Sequence, residues 1–245
     1  MMELSALALT LLALTALFSG MSKTGFPGLG IVFVVIVPLA IPAKESTGYI
    51  LPFLIFGDVL AVIYWRKSAI WRHIAVMLPS MCVGIVCGYF LMDRIADAAY
   101  GRVLGSVVLL LTALDWARRR FDLPIPVGNR AVGYALGFLA GVMTMLANAA
   151  GAVTMIYLLA MSVSKEEFVG TAAWIFFIIN LFKVPFSVAL GLITWESLQV
   201  NLILLPFVLV GGYLGLVALR RISGKSFDTL MRALAFLGGL KLFFQ

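Results

Sequence analysis

Apolar stretches follow one another along almost the whole chain, and only short loops separate them. Ten can be drawn: residues 3–20, 28–43, 46–65, 73–92, 101–117, 131–147, 150–164, 168–192, 197–219 and 229–244. A bilayer core takes about 20 apolar helical residues, with a range of about 17–25. Lipid offers no partner for backbone N–H and C=O groups, so each stretch must satisfy its own backbone as helix. The composition agrees. The chain is 63% hydrophobic and 12% charged, against about 45–50% and about 25% in globular proteins. It lacks the polar residues to cover a soluble surface. The expectation is an all-α integral membrane protein, a single bundle of about ten helical segments with no separate soluble domain. The first segment has Glu3 and no basic residue before Lys23. It lacks the basic start of a signal peptide and reads as a retained membrane segment.

The net charge of +7 sits in the loops, where it sets topology rather than binding nucleic acid. If all ten segments change sides, thirteen lysines and arginines share one face and four share the other, with Lys183 left inside a segment. The basic face is assigned to the cytoplasm, which puts both termini outside a multi-pass cytoplasmic (inner) membrane protein. Segments one, two, six and seven are short, and the charge split is the same whether they span or re-enter.

The second half of the chain echoes the first. Gly20 matches Gly141, Gly30 matches Gly151, and Lys44-Glu45 matches Lys165-Glu166, all at one spacing. Six residues further out of step, Pro79, Gly84, Gly88 and Arg94 match Pro206, Gly211, Gly215 and Arg221. The reading is two five-segment repeats, 1–120 and 131–245, joined by a cytoplasmic linker at 121–130. An odd number of segments makes the two copies inverted. Inverted repeats are a recurring transporter architecture, with the substrate site near the midplane at interrupted helices.

Both halves carry an interruption in corresponding places, "SGMSKTGFPGLG" (19–30) and "LANAAGA" (146–152). Gly20, Gly25, Gly28 and Gly30 let the backbone leave helical geometry and approach other groups closely, and Pro27 suits the first turn of a new helix. The first N–H groups of such a helix are unpaired and attract an anion. Ser22, Lys23 and Thr24 add donors, Thr144, Asn148 and Gly151 are the second break's counterparts, and together these form the expected substrate site. Read blandly, Lys23 is a loop lysine in a tight turn. Asp58 and Lys183 lie inside apolar segments, where ionisable side chains line cavities, pair or carry protons. Asp58 aligns near Asn180, and these three are expected to shape the cavity. Asp58 and Lys183 are expected to meet at the midplane, and either could carry a coupling proton. His73, beside Trp71 and Arg72, is expected at the membrane interface. Cys82 and Cys87 read as packing residues, and no cluster of ligands calls for a metal or cofactor.

The segments "FSGMSKTGFPGLGIVFVVIVPLAI" and "LAGVMTMLANAAGAVTMIYLLAM", with Pro-x4-Gly-x3-Gly in both halves, resemble the TauE/SafE sulfite exporter family over nearly the whole chain. The resemblance implies a membrane transporter, not an enzyme, that moves sulfite or an organosulfonate, with export as the expected direction. The first break's glycine cluster is thinner than the family's. The rival readings are an anion channel and an intramembrane enzyme, for which Ser19, Ser22 and His73 give no readable nucleophile–base pair. Lipid is the other expected partner, and a homodimer is compatible with the sequence.

Overall fold

The computed structural model describes residues 5–25, 29–121, 130–161, 163–221 and 244. Among them are nine α-helices: α1 (Ala6–Thr24), α2 (Gly30–Ile36), α3 (Ala43–Trp65), α4 (Trp71–Arg94), α5 (Asp97–Phe121), α6 (Arg130–Ala147), α7 (Ala150–Ala160), α8 (Lys165–Ala189) and α9 (Trp195–Arg221). No strand occurs among the described residues. Each helix overlaps one of the first nine expected segments. The tenth, 229–244, lies outside the described residues apart from Phe244, as do residues 122–129 of the expected linker.

Local chemistry starts two of these helices visibly. The Ser5 hydroxyl accepts from the Ala8 N–H at the start of α1. At the start of α8, Ser164 and Glu167 cap each other's backbone reciprocally. Such a box satisfies two of the otherwise unpaired first-turn donors. Prolines lie inside α3, α4, α8 and α9, and each of these helices runs on past its proline.

Among the described residues, six helices are long and apolar enough to cross a membrane: Ala6–Thr24, Ala43–Ser68, Trp71–Arg94, Arg130–Ala147, Glu166–Ala189 and Trp195–Val217. At 1.5 Å per residue, α2 covers only about 10 Å and α7 only about 16 Å, against a hydrocarbon core of about 30 Å. Both breaks therefore follow a full-length helix and precede a short one. The chain is a multi-pass membrane protein with an all-helical bundle.

Three helix pairs organise that bundle. α1 packs on α9 and α6 packs on α4, each through glycines that let backbones touch. A Cβ built at Gly20 would lie 2.6 Å from the Gly212 nitrogen, and one at Gly84 would lie 3.0 Å from the Gly141 Cα. Small residues at such crossings give the close packing that drives association in lipid. Contacts advance together in residue number along both pairs, so both run parallel. The third pair, α3 and α8, is antiparallel. Gly48 meets Leu192 at one end, Gly170 meets Trp65 and Ser68 at the other, and Asp58 meets Asn180 halfway between.

These crossings revise the role expected of the glycines. Gly20 lies inside α1 and Gly141 inside α6, both in helical backbone, and neither opens a turn. Gly25 ends α1 against the backbone of Gly215. The second break is turned by Asn148, the only non-glycine with positive φ (52°) among the described residues. Its own N–H bonds to the Thr144 carbonyl and that of Ala149 to the Met143 carbonyl, which closes the end of α6. Asparagine is one of the few residues that visits this region readily.

Candidate functional site: a buried lysine pair between the two breaks

Both breaks are inside the bundle. Ser22, Thr24, Gly25 and Leu29 are buried around the first, and Leu146 to Ala150 around the second. Polar side chains from α1, α3, α6 and α8 meet between them.

On the first side, Lys23 in the last turn of α1 reaches α3. Its Nζ lies 2.8 Å from Oδ1 of Asp58 and 4.2 Å from the centroid of the Phe176 ring of α8. Asp58 is fully buried, and its Oδ2 accepts from the Asn180 amide at 2.6 Å. Both carboxylate oxygens are thereby engaged, one by a charge and one by a neutral donor. Gly57 makes this possible, since a Cβ there would lie 2.9 Å from the Lys23 Cγ. The lysine stem lies in the groove left by the missing side chain.

On the second side, Lys183 of α8 is 2% exposed. Its ammonium donates to the Thr144 carbonyl at 2.8 Å, to the Thr144 hydroxyl at 3.4 Å and to Oδ1 of Asn148. Three acceptors match the three N–H groups of an ammonium. The Asn148 amide nitrogen donates to the Thr47 carbonyl of α3 at 3.0 Å, which fixes the amide with its oxygen toward Lys183. The Thr144 carbonyl belongs to the last turn of α6, where the helix dipole is negative and favours a cation.

Asp58 and Lys183, expected to approach each other, make no direct ion pair. Asp58 pairs with Lys23, while Lys183 turns to the end of α6. The reason is register. Asn180, one turn before Lys183 on α8, occupies the free side of Asp58, and Lys183 lies one turn farther along, within reach of Thr144 and Asn148. Among the described residues the only ion pairs are Lys23–Asp58 and Lys44–Asp97.

The other expected substrate residues fall in different places. The Thr24 hydroxyl donates to the carbonyls of Gly212 (2.8 Å) and Gly20 (3.0 Å), and its own carbonyl accepts from the Trp65 indole at 3.3 Å. It is used to hold α1 against α9 and α3. Ser22 is buried near Gly30, the first residue of α2. Gly151 lies in the first turn of α7, and Gly28 lies outside the described residues. Gly57, Phe176 and the Thr47 carbonyl were missed by the sequence reading. Only Gly57, directly before a buried aspartate, offered a local signal. His73, in the first turn of α4, is buried against Tyr157, with Nδ1 3.2 Å from its hydroxyl. No group of three or more potential metal ligands occurs among the described residues.

Buried Asp58 and Lys183, with partly buried Lys23, thus lie between helices long and apolar enough to cross a membrane. The comparisons with curated proteins and with solved structures find no match. The family model described as "Sulfite exporter TauE/SafE" matches residues 12–242. With apolar helices throughout and a match running almost from end to end, the chain belongs to the sulfite exporter TauE/SafE family of membrane transporters.

Proposed function

We propose that the protein is a secondary transporter that carries a small sulfur-containing anion, sulfite or an organosulfonate, outward across the cytoplasmic membrane by alternating access. The observation that carries this reading is Lys183, a cation buried inside a membrane protein whose hydrogen-bond partners are all neutral. Burying an ion without a counter-charge is costly. An anionic guest supplies the missing charge. The Thr144 hydroxyl, at 3.4 Å the longest of the three contacts, is the one a substrate oxygen replaces, and the hydroxyl is then free to donate to the guest. The unpaired N–H groups at the start of α7, two residues beyond Asn148, add donors of the right sign. Ser22, Lys23 and Gly30 line the opposite side in this reading.

The bundle is proposed to be two inverted repeats, and its crossings support that. The first helix of each half, α1 or α6, packs parallel on the fourth helix of the other half, α9 or α4. Gly20 and Gly141, matched by sequence, sit at these two crossings, opposite Gly211 and Gly84, which are also matched. Asp58 and Asn180 are near mates in the alignment of the halves, and they touch midway along an antiparallel pair. Near mates in contact lie close to the pseudo-two-fold axis that relates the repeats. Such an axis runs in the membrane plane, so the cluster sits at the midplane, where rocking of one half on the other exposes it to each side in turn. The basic loops put both termini outside. Anion export from a negative interior is downhill by about 2.3 kcal/mol per charge per 100 mV, so it needs no coupling ion.

The test is efflux of radiolabelled sulfite and methanesulfonate from proteoliposomes. Saturable efflux with counterflow, lost in Lys183→Met, supports the reading. Efflux without saturation or counterflow indicates a channel, and no flux of any sulfur anion overturns it.

A further inference from the structure

The buried cluster has a definite charge. Two lysines and one aspartate meet there, so with both lysines protonated and Asp58 ionised the described residues carry one net positive charge. His73, also buried, is engaged by Tyr157 of α7 at the start of α4 and does not enter the count. Asp58 cannot turn away to accommodate a guest, because Lys23 and Asn180 hold its two oxygens separately at 2.8 and 2.6 Å. It acts as a resident anion that uses up one of the two lysines. We infer that the Lys23–Asp58–Lys183 cluster selects oxyanions by charge, accepting singly charged sulfonates and hydrogen sulfite and rejecting doubly charged ions such as sulfate. A monoanion beside Lys183 brings the cluster to neutrality. A dianion leaves an excess negative charge in a low-dielectric interior, next to the Asp58 carboxylate, and buried like charges repel strongly.

This inference rests on the transport reading, but the two fail differently. The probes are methanesulfonate, which is singly charged, and sulfate, which is doubly charged, each at neutral pH with the full chain in proteoliposomes. Methanesulfonate is expected to be carried in preference to sulfate by roughly tenfold or more, since unmatched buried charge costs several kcal/mol. Asp58→Asn raises the cluster by one positive charge and shifts the ratio toward sulfate by roughly tenfold. The double variant Lys23→Met/Asp58→Asn removes the pair together and keeps one net positive charge, so its ratio is expected to move back from that of Asp58→Asn toward methanesulfonate. Thermal stabilisation of the detergent-purified protein by each anion reads the same preference without turnover, and serves if Asp58→Asn does not assemble. Equal transport and equal stabilisation by both anions, or an unchanged ratio in a transporting Asp58→Asn protein, overturns the inference and leaves the transport reading intact. If no sulfur anion moves or stabilises the protein, the transport reading itself falls, and this inference with it.

Discussion

Each of the two breaks holds a lysine against a long central helix, and the two do it with opposite parts. At the first, the lysine comes from the break and its partner, Asp58, from α3. At the second, the lysine comes from α8 and its partners, Thr144 and Asn148, from the break. The first is a charge pair, complete in itself. The second is a cation among neutral oxygens. Two breaks that look alike in the sequence need not do equivalent work. One can be closed electrostatically, as a structural clamp, while the other stays open to a guest of opposite charge.

The sharpest way to break this comparison is to remove each lysine in turn. Lys23→Met leaves the fully buried Asp58 carboxylate without its cation. Removing one member of a buried pair costs about 3–5 kcal/mol, read as a fall in thermal or denaturant stability of the protein in detergent. Lys183→Met deletes a charge that had no counter-ion. The lost hydrogen bonds and the relieved burial of charge offset each other, so stability should move by no more than about 1 kcal/mol. Transport, by contrast, should fall roughly 100-fold, the scale of losing a buried charged partner for a ligand. Equal destabilisation by the two substitutions would mean that the breaks are alike after all.

The corners themselves differ in the same spirit. Gly25 closes the first by contact, and a Cβ there would lie 2.8 Å from the Gly215 carbonyl carbon and 3.3 Å from its Cα. Backbone cannot yield as a side chain does, so Gly25→Ala is expected to cost about 1–3 kcal/mol through overpacking. Asn148 closes the second by conformation, at φ 52°. Asn148→Ala should cost about 1–2 kcal/mol in backbone strain, and Asn148→Gly should remove that strain. Both lose the amide that orients Lys183, so transport should drop in both while stability drops in one. Thermal melts paired with efflux rates separate the two contributions.

The helices, both interruptions and the glycine-rich crossings were legible because they are written as period, composition and spacing. Asp58 and Lys183 stood out because a charge in an apolar run is rare. Which of them meets which was not legible. It depends on the register of α3 against α8, and a shift of one turn exchanges Asn180 for Lys183 at Asp58. The Thr47 carbonyl carries no sequence signal, because every residue has one. Phe176 is one of 18 phenylalanines and becomes a partner of Lys23 only through tertiary placement. The glycines were legible as a pattern but not as a purpose. Turn and close contact both favour glycine, and only the crossing of α1 with α9 distinguishes them.

Gly30 gives the smallest effect and the finest discrimination between the breaks. It opens α2, and a Cβ there would meet the Phe33 Cζ at 3.8 Å and the Ser22 hydroxyl at 4.0 Å, both ordinary contacts. Alanine is favoured over glycine in helix by about 0.5–1 kcal/mol, so Gly30→Ala should leave the melting temperature unchanged or raise it slightly. Its effect on flux then reports on substrate alone. If the guest lies against Lys183 and touches the first break only at its edge, the rate should change by less than about threefold, well under 1 kcal/mol. A loss comparable with that of Lys183→Met, in a protein that melts normally, would put substrate directly on the backbone beside Ser22. The first break would then bind as closely as the second, and the Lys23–Asp58 pair would have to open during the cycle rather than serve as a fixed clamp.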